Sequence, residues 1–220
     1  ALSICTTDPW KLGYWAPHCI LTRSQNFYAQ LLAVGWWSTL KGEDTETPLV
    51  CRLSDCTSAA LSAWMLVQEA AERHYDRSSN CAFTTFVGYE YSNAPDFRNL
   101  HRNVIFRDDG EKAAQVVPYT TMQPFGSDNP RDLWTWMQNY EDKTGGSVLA
   151  IAHNGNLSNG RMFPLIESFT GKPVDKAYAE QRAHWERLYE TTQTKGDGET
   201  HPALSPNDEF ANFERWDFGN

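Results

Sequence analysis

Three strand-like runs in this sequence end in a side chain able to bind a metal or move a proton: FTTFVGYE at Glu90, VLAIAH at His153 and FANFE at Glu214. Glu90 follows Phe86, Val87, Gly88 and Tyr89. Its carboxylate therefore leaves a hydrophobic strand, where an unpaired charge is costly; a metal, a salt bridge or exposure at the strand end would each satisfy it. His153 is followed by Asn154, Gly155 and Asn156, which favour tight turns and bring amide donors and acceptors to the strand end. The ordinary alternative is a core histidine held by one backbone bond. His101, in NLHRNVIF, stands at the start of its run. Alternation turns His101 and Asn103 to one face and Arg102 to the other. His201 lies in the loop GETHPALSP, two residues after Glu199, and capping or exposure explains it as well as chemistry does. His74 and His184 fall in amphipathic helical patterns and His18 in an irregular stretch, so these three read as structural.

Other reaction types find less support. There is no Gly-x-Ser-x-Gly elbow, no Gly-rich phosphate loop and no His-Glu-x-x-His pair. The adjacent His18 and Cys19 are poorly placed for one tetrahedral zinc. A glycoside hydrolase using Glu90 and Glu214 with tryptophans stacked on sugar is conceivable, but it has no need of His101 or His153.

The elements that must position these groups follow from periodicity and turn chemistry. Thr57 or Ser58 can cap a helix with Ala60, Trp64, Val67 and Ala71 on one side, ending near Ser78. Strands are expected over 83–91 and 103–107. Asn129 and Pro130 start a helix that runs to about Asp142 and stops at Gly145 and Gly146. A strand over 147–152 delivers His153. A further helix is expected over 174–191, with Asp175 at its cap and Ala179, Arg182, Trp185, Leu188 and Tyr189 along one side. A last strand is expected over 210–216. This alternation points to an α/β fold, in which ligands gather at the strand ends. Residues 1–56 are expected to form an irregular segment containing Cys and Trp, either part of the same domain or an insertion, and 57–220 the central part of the α/β domain.

The 220 residues suffice for one domain with a sizeable core. With 40% apolar and 13% aromatic residues the chain is not a disordered one. The formal charge of -9 argues against nucleic acid as a partner. No window approaches the roughly 18 apolar residues of a membrane span, and the N-terminus lacks a signal-peptide layout. All five cysteines lie within the first 81 residues. One or two disulfides in an oxidising compartment are expected, with buried free thiols as the alternative; the odd count leaves one thiol unpaired within the chain.

The stretches FTTFVGYEYS, NLHRNVIFRDD, LWTWM, VLAIAHNGNLSNGRMF and THPALSPNDEFANFERWD resemble the domain of unknown function 3604 family, from about Trp64 to the C-terminus. That family is related to the polymerase and histidinol phosphatase superfamily of metal-dependent phosphoesterases. The resemblance implies a distorted TIM-like barrel with a multinuclear cluster of manganese, zinc or iron. In it Glu90, His101 and His153 resemble metal ligands, with Glu214 a further strand-end acid. Asn154 and Asn156 would orient His153 or bind substrate. The superfamily's opening His-x-His strand, the Asp-His pair after it and the closing Asp-x-His segment are not found here. The chain therefore resembles the middle part of a longer protein, its barrel incomplete, with missing segments or another chain completing the metal site.

The expected function is hydrolysis of small anionic esters, phosphate first and sulfate second, by a metal-activated water. Arg102 and Arg161 are candidates to clamp the anion, and His201 to protonate the leaving group. A non-catalytic binding or assembly module that keeps the fold is the competing reading. Relatives in this family are often exported, so a periplasmic or extracellular location is expected, with the cytoplasm as the alternative.

Overall fold

The structure, a computed structural model, describes Ile20, Tyr28 and residues 55–122, 125–153, 155, 157–193, 196–197, 202–203, 206–209 and 211–212. The expected segment 1–56 and the expected strand over 210–216 fall almost wholly outside these residues.

Four strands form a sheet in the order β1-β2-β3-β4: β1 (Gly88–Tyr91), β2 (Arg102–Phe106), β3 (Val148–Ala152) and β4 (Leu188–Tyr189). β1 and β3 both pair antiparallel with β2, and β4 pairs parallel with β3. A separate hairpin joins β5 (Thr192–Gln193) and β6 (Gly196–Asp197). The helices are α1 (Cys56–His74), the single turn α2 (Gly110–Ala113), α3 (Pro130–Thr144) and α4 (Lys176–Trp185). The content is thus mixed α/β. The described strands form an open sheet, three of whose members pair antiparallel; the implied barrel would need further strands from outside the described residues. Among the described residues no helix is long and apolar enough to cross a membrane.

Period-two alternation sorts the sheet into two faces. Tyr91, Arg102, Val104, Phe106, Val148, Ala150 and Ala152 are buried on one. Trp64 from α1, Leu133, Trp134, Met137 and Tyr140 from α3, and Tyr178 and Trp185 from α4 cover it in one cluster. Trp64 satisfies its indole by donating to the Val116 carbonyl at 3.0 Å.

Local chemistry sets the helix ends. Asn129 caps α3 by accepting from Arg131 N–H at 3.1 Å, Pro130 opens it, and Gly145 closes it at φ 62°. Asp175 caps α4 by accepting from Tyr178 N–H at 2.8 Å. The cap of α1 is Asp55, earlier than the expected Thr57 or Ser58, and it accepts from Ser58 N–H at 2.9 Å. That helix also ends at His74, short of Ser78, because Asp76 folds the chain back through bonds from Ser78 N–H and Ala82 N–H.

Two other expectations are corrected. The strand over 83–91 shrinks to Gly88–Tyr91, since its first part is held by other partners: Phe83 O accepts from Asp76 N–H and Thr85 Oγ1 donates to Ala71 O. The helix over 174–191 stops at Trp185, and Leu188 and Tyr189 pair instead with Ile151 and Ala152 as β4. Cys56 is disulfide-bonded, to a partner outside the described residues, while Cys81 is free and exposed.

Candidate active site

The second sheet face ends in a group of ionisable side chains. Because β2 runs antiparallel to its neighbours, its start lies at the same sheet edge as the ends of β1 and β3. His101 precedes β2, yet it joins the strand-end groups Glu90 and His153. The ladder continues into the site: His153 N–H donates to His101 O at 3.0 Å, and Glu190 N–H donates to Ala152 O at 3.1 Å.

His153 Nδ1 is hydrogen-bonded to Glu190 Oε2. The pair fixes a tautomer: Nδ1–H donates to the carboxylate, and Nε2 carries the lone pair. The two side chains are 19% and 28% exposed, so solvent and small molecules reach them. The loop after His153 is tied down on both sides. Gly155 N–H donates to Tyr189 Oη at 2.8 Å, and Leu157 O accepts from Asn99 N–H at 3.1 Å. Leu157 and Asn159 take left-handed φ values of 59° and 52°, a conformation bulky residues hold only where tertiary contacts impose it.

His101 has the opposite tautomer. Its Nδ1 accepts from Asn93 N–H at 2.9 Å, so in the neutral ring the proton is on Nε2. Glu90 Oε1 lies 3.9 Å from this Nδ1, but a nitrogen already accepting a bond has no proton to share, so the neutral ring makes no ion pair with it. Glu90 is half-exposed and accepts from Ser92 Oγ at 3.0 Å. The rings of His101 and His153 are neighbours, 6.1 Å apart between centroids and tilted by 45°.

Among the expected site residues, the structure brings Glu90, His101 and His153 together. Asn154, Asn156, His201 and Glu214 lie outside the described residues. Arg102 is a correction. It is 1% exposed, on the core face, and its Nε donates to Glu186 Oε1 at 2.9 Å, so it serves the core and cannot clamp an anion beside His101. Arg161 Nη1 is paired with Asp96 Oδ2 at 3.0 Å. Glu190 and Asn93 escaped sequence reading. Glu190 stands 37 residues from His153, and nothing local in YETTQ marks it as a partner.

Beneath the site, Glu186 is fully buried and accepts from both Arg102 Nε and Trp134 Nε1 at 2.9 Å. Arg182 Nη2 lies 2.9 Å from Glu186 Oε2, but the approach is too oblique for a hydrogen bond, and neither atom has such a partner among the described residues. Burial by itself would raise the Glu186 carboxyl; the charges of Arg102 and Arg182 outweigh it and hold it below the usual range. This cluster joins β2, α3 and α4 directly below the strand ends that carry His101 and Glu190.

The donor set fits a metal only in part. His153 has a free-facing Nε2 lone pair once Glu190 fixes its tautomer, and the Glu90 carboxylate is a suitable second donor. His101 does not fit, because its one lone pair is committed to Asn93. Among the described residues no group of three or more His, Cys, Asp or Glu is arranged to hold a metal ion, and a catalytic centre needs about three protein ligands.

These features define an α/β protein with a histidine–carboxylate cluster at one end of a mixed sheet. The chain belongs to the family described as Protein of unknown function (DUF3604), which matches residues 16–220. The match takes in residues before Trp64, where the motifs gave no resemblance. No curated protein and no solved structure matches the chain.

Proposed function

We propose that the protein is a metal-dependent hydrolase of small anionic esters, phosphate esters first and sulfate esters second. The observation that carries this reading is the hydrogen-bonded His153–Glu190 pair with the ring of His101 beside it, 6.1 Å from that of His153 between centroids. The motif resemblance to the polymerase and histidinol phosphatase superfamily supports it. Manganese, zinc or iron held by His153 Nε2, Glu90 and ligands from outside the described residues or from another chain would supply a water of lowered pKa.

Glu190 keeps the proton of His153 on Nδ1 and orients the ring. His101 donates from Nε2 to an ester oxygen, a neutral hydrogen bond aimed where negative charge grows. Asn93 holds that tautomer through its backbone N–H. Asn154, Asn156 and His201 are retained as proposed substrate contacts, His201 as donor to the leaving oxygen. An exported location belongs to the proposal, because the Cys56 disulfide requires an oxidising compartment to persist.

The test is hydrolysis of a panel of phosphate and sulfate monoesters by protein stripped of metal and resupplied with manganese, zinc or iron. Metal-restored turnover that falls at least about 100-fold in His153→Ala is expected. Turnover unaffected by chelation or by that substitution would overturn the reading. The partial ligand set favours one alternative, a non-catalytic binding or assembly module; specific ester binding with no turnover under any metal would establish it instead.

A further inference from the structure

Apart from Asn103, the sheet face that carries the ionisable cluster continues as apolar side chains. Directly opposed residues share a face, so the register Asn103↔Ile151, Ile105↔Leu149 and Ile151↔Leu188 places Ile105, Leu149, Ile151 and Leu188 on the face opposite Val104, Ala150 and Ala152. From Leu149 to His153 is four residues, about 13 Å of strand at the usual rise of roughly 3.3 Å. A cavity of about 480 Å³ stands beside this floor; those four side chains and Phe86 belong to its apolar lining, and Glu141, His184 and Arg187 also reach its wall. Its size is that of a small-molecule site.

The cavity lining stops at Ile151 and Leu188. The next residues on that face are His153 and Glu190. Phe86 and Leu188 remain 59% and 55% exposed, and a contiguous apolar surface of this kind, continuous with a polar cluster, fits a ligand with both characters. Arg107 lines the far end of the cavity and sets charge against a tail that overruns it.

We propose that this floor binds the apolar part of the substrate, so that the protein acts on esters of hydrophobic alcohols, alkyl or aryl, with the anionic head at His101 and His153 and the tail over Ile151, Ile105, Leu149 and Leu188. This rests on the hydrolase reading for the head and on the cavity alone for the tail.

Calorimetric titration of the full chain with non-hydrolysable alkyl phosphonates, methyl through octyl, separates the two. Kd should fall roughly fourfold per added methylene, equivalent to ~0.8 kcal/mol for each one buried. Leu149→Asp and, at a more exposed position that is safer for folding, Leu188→Asp should flatten that dependence. His153→Ala should weaken every member of the series and leave the dependence on length in place. A Kd independent of chain length, a slope unchanged in both aspartate variants, or no binding by any member would overturn the proposal. A slope without turnover of the matching alkyl phosphates would sink the hydrolase reading while the tail site stands; turnover without a slope would do the reverse.

Discussion

Replacing Glu186 with alanine should be among the most damaging single changes this chain can suffer, although Glu186 touches neither histidine of the site. The substitution strands the guanidinium of Arg102, 1% exposed, and that of Arg182, 11% exposed. It also removes the acceptor of the Trp134 indole N–H. Breaking a buried ion pair by deleting one partner costs about 3–5 kcal/mol, against a typical total stability of about 5–15 kcal/mol. For a domain of this size that corresponds to a Tm lowered by roughly 6–20 °C. Glu186→Gln should cost less, because an amide oxygen can still accept from Trp134. The triple change Arg102→Met, Arg182→Leu, Glu186→Met should recover most of the loss, since desolvation offsets much of what a buried pair contributes. Urea unfolding followed by tryptophan fluorescence reads all three variants. A Glu186→Ala protein within about 1 kcal/mol of wild type would refute the claim that this cluster holds β2, α3 and α4 together.

Other outcomes follow from the same interactions. At the far end of the sheet, burial pushes the Asp108 carboxyl up, but bonds from Ser147 N–H at 2.6 Å, Tyr140 Oη at 2.9 Å and Lys112 outweigh it and leave it depressed. Asp108 and Glu186 thus both have folded values below their unfolded ones. Their stabilisation is complete above the unfolded values of about 4 and is lost as pH falls through the folded values, so unfolding free energy should be flat near neutrality and drop below about pH 4; a drop starting above pH 6 would contradict this. Burial raises the phenols of Tyr89 and Tyr91 well above their usual value, so their contribution is full below about pH 10 and declines above it. Ultraviolet titration should show both ionising only with alkaline unfolding. Without reductant, a thiol reagent should label Cys81 and spare Cys56 in the folded chain; labelling of Cys56 would contradict the disulfide.

What the sequence disclosed was what short-range chemistry decides. α3 was legible at both ends because Asn129, Pro130 and Gly145 each act on their own turn. β2 and β3 were legible as short apolar runs, Val104 to Phe106 and Val148 to Ala152, bounded by polar and turn-forming residues. Alternation also assigned His101 and Arg102 to opposite faces, which already weakens Arg102 as an anion clamp beside that histidine. Long-range pairing was not legible. Leu188 and Tyr189 continue the apolar spacing of α4, and only the edge of β3 makes them a strand. Glu190 was missed for the same reason, since its role exists only once β4 lies beside β3. The grouping of His101 with Glu90 and His153 depended on β2 being antiparallel, a fact of register that no single run records.

The most direct test of the central claim is a double-mutant cycle on kcat/KM for a phosphate monoester, comparing wild type, His153→Ala, Glu190→Gln and the double variant. If Glu190 acts through His153, the double variant should be no slower than His153→Ala alone, with both at least about 100-fold below wild type. Losses that multiply independently, or a Glu190→Gln protein with full activity, would contradict a site built on that pair.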